Sequence, residues 1–382
     1  MNDYFLADDL SGALDAAAAF HHAGRRVRIA LSADAWPEGG PDDIVGVTTE
    51  TRNAPPNAAA QVVTRVIGQG CARGGRLLYK KIDSTLRGPV AAEIAALRAA
   101  LPDARVLFAP ANPRVGRTVR AGRLLVRGVP VAETEFGHDP VCPVRESALR
   151  VLLGAAAEEH VVIPDVETEA DLEAAVARMD AAGGPWVPVG SGALARPVAA
   201  RLVGGGAAGS RPRSVVAGGL GLGVVAAPIL MLGGSAHPGN REQAARLAAG
   251  RGVPAVEIAV NDLARTVANA RAALARRGAV TLLALAGRMA AAAALRAIVT
   301  VACQVIGGGS VARVFVTGGE TAFALAGEVG VTALEYCAEI EAGLALACSG
   351  DAGDRRWWAV KPGGFGDGET WVRAFDALRQ AR

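Results

Sequence analysis

The chain has 382 residues, 51% of them hydrophobic and 20% charged, which excludes a disordered protein and one needing disulfide or metal staples. That length sets two domains as the starting expectation. A net charge of +3 provides neither a basic field for nucleic acid nor a polybasic membrane anchor.

In chain order, Tyr4 to Ala7 reads as a strand and Ser11 to Ala23 as a helix closed by Gly24. Strands follow at Val27 to Leu31 and Ile44 to Thr48, then a helix from Asn57 to Gly68. Leu77 to Lys80 is a strand, Val90 to Ala100 a helix and Val106 to Ala109 a strand. Arg117 to Thr134 breaks the rhythm, with Gly122 and Gly128 punctuating short β-type runs that suit an antiparallel excursion or flap. The βα pattern resumes with a helix at Ala170 to Ala182 and a strand at Trp186 to Val189. Strands alternating with helical patterns indicate βαβ units around a mainly parallel sheet.

Residues 203–223 form a Gly-rich break that reads as a linker between an N-terminal domain, 1–202, and a C-terminal domain, 224–382. The break contains a literal GxGxxG (Gly204, Gly206, Gly209), but a helical pattern precedes it, whereas a dinucleotide fingerprint follows a strand. Beyond it come strands at Pro228 to Leu232, Val253 to Ile258 and Val280 to Leu285. Helices alternate with them at Asn240 to Ala249, Leu263 to Arg276 and Met289 to Ile306, and Val314 to Thr317 closes the series as the last core strand. The fold class is therefore α/β: two domains, each a mainly parallel sheet flanked by helices, with a ligand cleft expected between them.

Four turns lie where α/β proteins bind ligands, beyond the carboxyl ends of strands. Asp8-Asp9 with Ser11 leaves the first strand; one acid there caps a helix, but two also suit hydroxyl binding or proton acceptance. Lys80-Lys81-Ile82-Asp83-Ser84-Thr85-Leu86-Arg87-Gly88 gathers ammonium, carboxylate, hydroxyl and guanidinium groups, a set suited to a polyhydroxylated anion. Gly233-Gly234-Ser235 and Thr317-Gly318-Gly319-Glu320-Thr321 are two Gly-Gly-hydroxyl turns, each a potential phosphate nest. No GxxxxGK[ST] occurs, so backbone amides and hydroxyls would do the holding. Lesser signals are Arg52 and Arg117, each able to add a guanidinium to the acid site, with His138, His237 and the Trp357-Trp358 pair.

Two whole-chain counts bear on chemistry. Five widely spaced cysteines without a CxxC pair fit a reducing, cytoplasmic setting, and no His spacing builds a metal site. Only Lys80, Lys81 and Lys361 among the 40 basic residues are lysine; the first two lie in the Lys80–Gly88 turn and the third opens the Pro- and Gly-rich loop Lys361-Pro362-Gly363-Gly364-Phe365-Gly366-Asp367 near the C-terminus. Arginine at any of the three is therefore expected to cost activity more than stability.

Taken together, ADDLSGALD, TETR, YKKIDSTLRG, PANPRVGRTVRAGRLLVRGVPVAET with FGHDPVCPV, LGGS, VFVTGGETA, the Gly343 turn and VKPGGFGD resemble the four-carbon acid sugar kinases over nearly the whole chain. Departures from that pattern are Ser11 in place of threonine, a missing proline near Gly343, and the loosely matching GSAHPGNREQ. The resemblance implies an N-terminal acid-sugar domain, a C-terminal nucleotide domain, and phosphorylation of threonate-, erythronate- or 3-oxo-tetronate-type acids by ATP with Mg²⁺. Substrate contacts implied are Asp8, Asp9, Arg52, Lys80, Lys81, Ile82, Asp83, Ser84 and Arg87. Asp8 or Asp9 would orient the hydroxyl, a lysine of the 80–81 pair or Lys361 on closure would neutralise phosphate charge, and Arg87 or Arg52 would hold the carboxylate. Nucleotide contacts implied are Ser235, Gly318, Gly319, Glu320, Thr321, Gly343 and Lys361, with hinge closure about the linker. Partners are then a sugar acid and ATP, with no nucleic acid and no membrane, and a homodimer left open. The rival readings are a non-catalytic sugar-acid and nucleotide sensor and a Rossmann-type oxidoreductase.

Overall fold

The computed structural model describes residues 2–40, 42–157, 160–203, 227–234, 237–284, 290–308, 311–351 and 354–381. The chain forms two compact units, Met1–Pro212 and Arg213–Arg382. The Gly-rich segment from Gly204 to Gly223, with its GxGxxG, lies outside the described residues.

In the first unit, β1 (Tyr4–Ala7) leads through α1 (Leu10–His22) to β2 (Val27–Ala30) and β3 (Ile44–Thr48). Then come α2 (Pro56–Ala72), β4 (Leu77–Lys81), α3 (Val90–Ala100) and β5 (Arg105–Ala109). After a small antiparallel sheet of β6 (Arg117–Arg120), β7 (Arg123–Val126) and β8 (Val129–Pro130), the chain continues through α4 (Leu149–Leu153) and β9 (Val161–Val162). The unit finishes with α5 (Glu169–Ala181), β10 (Trp186–Gly190) and α6 (Gly192–Val203).

The main strands run in the order β2-β3-β1-β4-β10-β5-β9, all parallel. All four residues of β1 are buried, as an unbroken apolar run in a central parallel strand should be. Asp9 ends that strand's turn and caps α1 by accepting the Gly12 N–H at 2.7 Å. Register puts Ala7 beside both Thr48 and Lys81, with Lys81 beside Gly190 and Gly190 beside Ala109. The loops after these strands therefore emerge in one row. The antiparallel excursion expected between Arg117 and Thr134 is present as β6–β8.

The second unit opens with β11 (Ile229–Gly233), α7 (Pro238–Arg251), β12 (Ala255–Glu257) and α8 (Leu263–Arg277). It continues with β13 (Ala279–Leu283), α9 (Ala291–Gly307), β14 (Arg313–Thr317) and α10 (Gly319–Glu328). The sequence reading stops the sheet at Val314–Thr317. The structure instead adds β15 (Ala333–Glu341), β16 (Leu344–Ser349) and β17 (Arg356–Lys361), then α11 (Thr370–Gln380). These were hidden because β15 reads ALEYCAEIE, with acids interleaved along a half-buried antiparallel strand rather than an apolar run. The order is β12-β13-β11-β14-β17-β16-β15, parallel as far as β17 and antiparallel beyond it. Met231, Phe315, Trp357 and Trp371 share one core, with the Phe315 and Trp371 rings edge-on at 5.0 Å. Trp357 and Trp358 are thus buried strand residues.

Candidate functional site

At the carboxyl edge of the first unit, Asp8 and Asp9 converge on one guanidinium. Arg52 donates from Nε and Nη2 to Asp8 at 3.0 and 2.9 Å, and from Nη1 and Nη2 to Asp9 at 2.7 and 2.8 Å. Its three nitrogens are thereby committed to the two acids. Asp9 also accepts from Gly12 N–H and from the Ser11 hydroxyl at 2.5 Å, so both its oxygens carry two donors. Asp8 Oδ2 takes Arg52 Nε and the Asp83 N–H at 3.2 Å, whereas Oδ1 takes only Arg52 Nη2 among the described residues. One lone-pair direction of Asp8 is left over. Burial opposes its charge, but Arg52, Lys80 and Lys81 outweigh burial and hold the carboxyl below its ordinary range.

Gly12 is where the approach is tightest. A Cβ there would sit 2.7 Å from Asp9 Oδ1, 3.3 Å from Lys81 Nζ and 3.5 Å from Asp8 Oδ1. Lys81 Nζ lies 3.6 Å from Asp15 and donates to the Ile82 carbonyl at 3.1 Å, bringing an ammonium to the same turn. Ile82 is fully buried, and its N–H donates to the Gly190 carbonyl at 3.0 Å.

Two of the expected contacts turn inward. Lys80 is 0% exposed and pairs with Glu93 of α3 at 2.9 Å, while the Thr51 hydroxyl donates to the same carboxylate. Lys80 thus braces the loop carrying Arg52 from beneath. Asp83 is spent within its own loop, accepting from the Thr85 hydroxyl, from Arg87 N–H at 3.3 Å and from Arg87 Nε at 2.8 Å. Burial disfavours its charge, but Arg87 and Arg52 hold it well below the usual carboxylate range. Arg87 also faces Asp139 at 3.6 Å. Ser84 accepts from Arg117 Nη1, which arrives at the start of β6.

Glu50 is the residue the sequence reading passed over, although it sits inside the TETR motif. Its backbone is left-handed, with φ of 50°, a conformation that costs a non-glycine residue energy and clusters at functional sites. The carboxyl accepts from the Thr48 hydroxyl at 2.5 Å. Burial, aided by the nearby Asp9 charge, pushes it up to about 8.

The second unit has its own carboxyl edge. Register aligns Gly233, Thr317 and Lys361 across the adjacent strands β11, β14 and β17, so their three Gly-rich loops emerge side by side. Gly318 opens α10 with φ of 95°, Gly319 and the exposed Glu320 form its first turn, and Thr321 is buried behind them. Ser235 lies outside the described residues. Gly343 turns β15 into β16 with φ of 78°, and a Cβ there would lie 2.7 Å from the Phe365 ring. Lys361 is 0% exposed, and its ammonium donates to Asn240 Oδ1 at 3.1 Å and to the carbonyls of Pro362, Gly363 and Phe365 at 3.3, 2.9 and 2.8 Å. Burial pulls it down to about 8. It is the hub around which the loop bearing Phe365 is folded. Among the described residues, no cluster of three or more His, Cys, Asp or Glu is arranged to hold a metal ion, and no helix is long and apolar enough to cross a membrane.

Comparison with known proteins divides the chain in a matching way. Residues 4–159 match the sugar-binding N-terminal domain family and residues 230–371 the nucleotide-binding C-terminal domain family. The chain is 33% identical to a D-threonate kinase of Bordetella bronchiseptica, covering 99% of this chain and 97% of that one. It is 31% identical to a D-threonate kinase of Cupriavidus necator, covering 100% and 99%. It is 29% identical to a 3-oxo-tetronate kinase of Methylobacterium radiotolerans, covering 98% of each. A crystal structure of a Salmonella typhimurium protein, 21% identical, shares the fold with a TM-score of 0.78 over 98% of both chains. Another, from Bordetella bronchiseptica, is 32% identical over 100% of both chains with a TM-score of 0.51, and was crystallised with bound citrate as a domain-swapped dimer.

Proposed function

The chain belongs to the four-carbon acid sugar kinase family, and on that premise we propose that it transfers the γ-phosphoryl group of ATP to a hydroxyl of a four-carbon sugar acid. The acid is of the threonate, erythronate or 3-oxo-tetronate type. The observation that carries the reading is the carboxyl edge of the first unit. There two carboxylates share one guanidinium, an ammonium lies alongside, and the segment belongs to a sugar-binding domain family. The citrate bound to the Bordetella relative supports a site for a hydroxylated carboxylate, and that relative's swapped dimer supports a homodimer here.

In this mechanism Asp8 Oδ1 accepts the hydrogen bond of the reacting hydroxyl and orients its oxygen toward the γ-phosphorus. That oxygen forms the new P–O bond as the bond to the bridging oxygen of ADP breaks, and the hydroxyl proton leaves by way of Asp8. A carboxylate held at low pKa is a weak base, which suits a transfer that depends on positioning and charge more than on proton abstraction. Lys81 supplies positive charge to the transferring group. Asp9 holds Arg52 and the start of α1, and Lys80 holds the Arg52 loop.

The turns at Gly318–Thr321 and Gly343 fit a nucleotide, since the first opens the N-terminus of α10 and both take a left-handed φ that keeps the backbone bare of a side chain. Ser235 is proposed as a further nucleotide contact on the family resemblance, and Lys361 shapes the loop bearing Phe365. Mg²⁺ would neutralise the phosphates. It needs only one or two protein carboxylates beside phosphate oxygens and water, so a dedicated metal cluster is not required.

The test is ADP release from Mg-ATP with D-threonate, D-erythronate and 3-oxo-tetronate. Turnover with at least one is expected. Tight acid binding without turnover on any would favour the non-catalytic sensor instead. A pH dependence follows from Glu50. Below about pH 8 its carboxyl is neutral, and ionisation above that sets a second negative charge against Asp9. We expect kcat/KM for the acid to decline above pH 8, and Glu50→Gln, fixed in the neutral form, to flatten that limb. An alkaline limb unchanged in Glu50→Gln would remove Glu50 from this role.

A further inference from the structure

We infer that Arg117 is the anchor for the carboxylate of the acid substrate, an assignment that rests on the kinase reading above. Of the three guanidiniums at the carboxyl edge of the first unit, two are already consumed. Arg52 spends Nε, Nη1 and Nη2 on Asp8 and Asp9. Arg87 spends Nε and Nη2 on Asp83, at 2.8 and 3.2 Å, and turns Nη1 toward Asp139. A substrate carboxylate could take either only by displacing an aspartate from its partner.

Arg117 differs in each respect. Among the described residues no carboxylate pairs with it. Nη1 donates to the Ser84 hydroxyl, and Nε is buried with no hydrogen-bond partner. The guanidinium lies 5.5 Å from the centroid of the Phe136 ring, which Arg87 also overlies at 5.8 Å. An aromatic face compensates a half-buried cation only in part. A guanidinium without a counterion is costly to bury unless a ligand supplies one. Burial depresses this group more than the nearby Asp83 and Glu135 raise it, whereas at Arg52 and Arg87 the acids outweigh burial.

The backbone holds Arg117 in place. Its N–H and carbonyl pair with those of Asn112 at 3.0 and 2.8 Å, closing a short loop in which Gly116 takes φ of 69°. The side chain therefore enters the site from a rigid antiparallel element rather than from a free loop. A carboxylate that reaches a planar guanidinium can take two parallel hydrogen bonds from it. The neighbouring Ser84 hydroxyl would contact the adjacent part of the same molecule. Arg117 thereby selects acids over neutral polyols of equal length.

The experiment compares the preferred four-carbon acid with the tetritol of the same configuration, in wild type, Arg117→Gln and Arg117→Lys. Arg117→Gln should lose roughly 10²-fold or more in kcat/KM and in calorimetric affinity for the acid. Its KM for ATP and its response to the tetritol, as acceptor or as competitor, should stay unchanged, so the preference for the acid collapses. Arg117→Lys should recover part of the loss. Equal losses for acid and tetritol, or undiminished acid affinity in Arg117→Gln, would overturn the assignment while leaving an active kinase intact. Failure of wild type to phosphorylate any acid would instead count against the kinase reading, and calorimetry would still report on Arg117.

Discussion

We expect Asp8→Asn to lower kcat for the sugar acid by about 10³-fold while the KM for ATP stays unchanged. The substitution is nearly isosteric, so an amide oxygen still accepts from Arg52 and from the Asp83 N–H. What disappears is the charge that three cations hold in place, together with the unused acceptor at Oδ1. Asp9→Asn makes the contrasting case. Its carboxylate is fully engaged by Arg52, Ser11 and the Gly12 N–H, so its loss acts on the frame of the site and on the start of α1. We expect Asp9→Asn to cost stability first and turnover second. Steady-state kinetics with thermal melts on both variants decides this, and near-wild-type kcat in Asp8→Asn would reject Asp8 as the orienting group.

The second large effect is on stability. Lys80→Met leaves the Glu93 carboxylate, 1% exposed, with only the Thr51 hydroxyl among the described residues. Breaking a buried ion pair from one side costs about 3–5 kcal/mol, because the stranded charge keeps its desolvation penalty. The melting transition of the first unit should fall by roughly 10 °C. Lys80→Met combined with Glu93→Leu should recover most of that loss, since apolar groups of similar volume replace both charges. A single variant that melts with wild type would show that the pair contributes nothing. Arginine at position 80 is no substitute, because the closed site matches a compact ammonium and not a broad planar fork. This reverses the sequence-based expectation that Lys80→Arg would cost activity more than stability.

The loops were legible in the sequence because their chemistry is concentrated. Acids, hydroxyls and glycines follow directly on apolar runs at Asp8, Lys80, Gly233 and Thr317, and strand register brings those loops into rows. Which side chain meets a ligand and which one braces the loop was not legible. Lys80 and Lys81 are adjacent in a strand, and alternation sends one toward Glu93 beneath the sheet edge and the other toward Gly12. Arg52 and Arg87 looked like substrate clamps because their aspartate partners come from other loops or from one helical turn away. Glu50 gave no composition signal, since its distinguishing features are a left-handed backbone and burial beside Asp9. The last three strands escaped because antiparallel pairing tolerates the polar residues that β15 carries.

All three lysines of the chain are enclosed, at 0%, 5% and 0% exposure, while arginine supplies the rest of its basic side chains. Its outer surface therefore carries guanidinium but no lysine amine. Amine-directed acylating reagents, aldehyde cross-linkers and lysine-directed modifying enzymes find no lysine side chain exposed on the folded protein. Acetylation of Lys81 or Lys361 would then require those loops to open first, so covalent labelling at either position becomes a clock for local opening rather than a map of the surface.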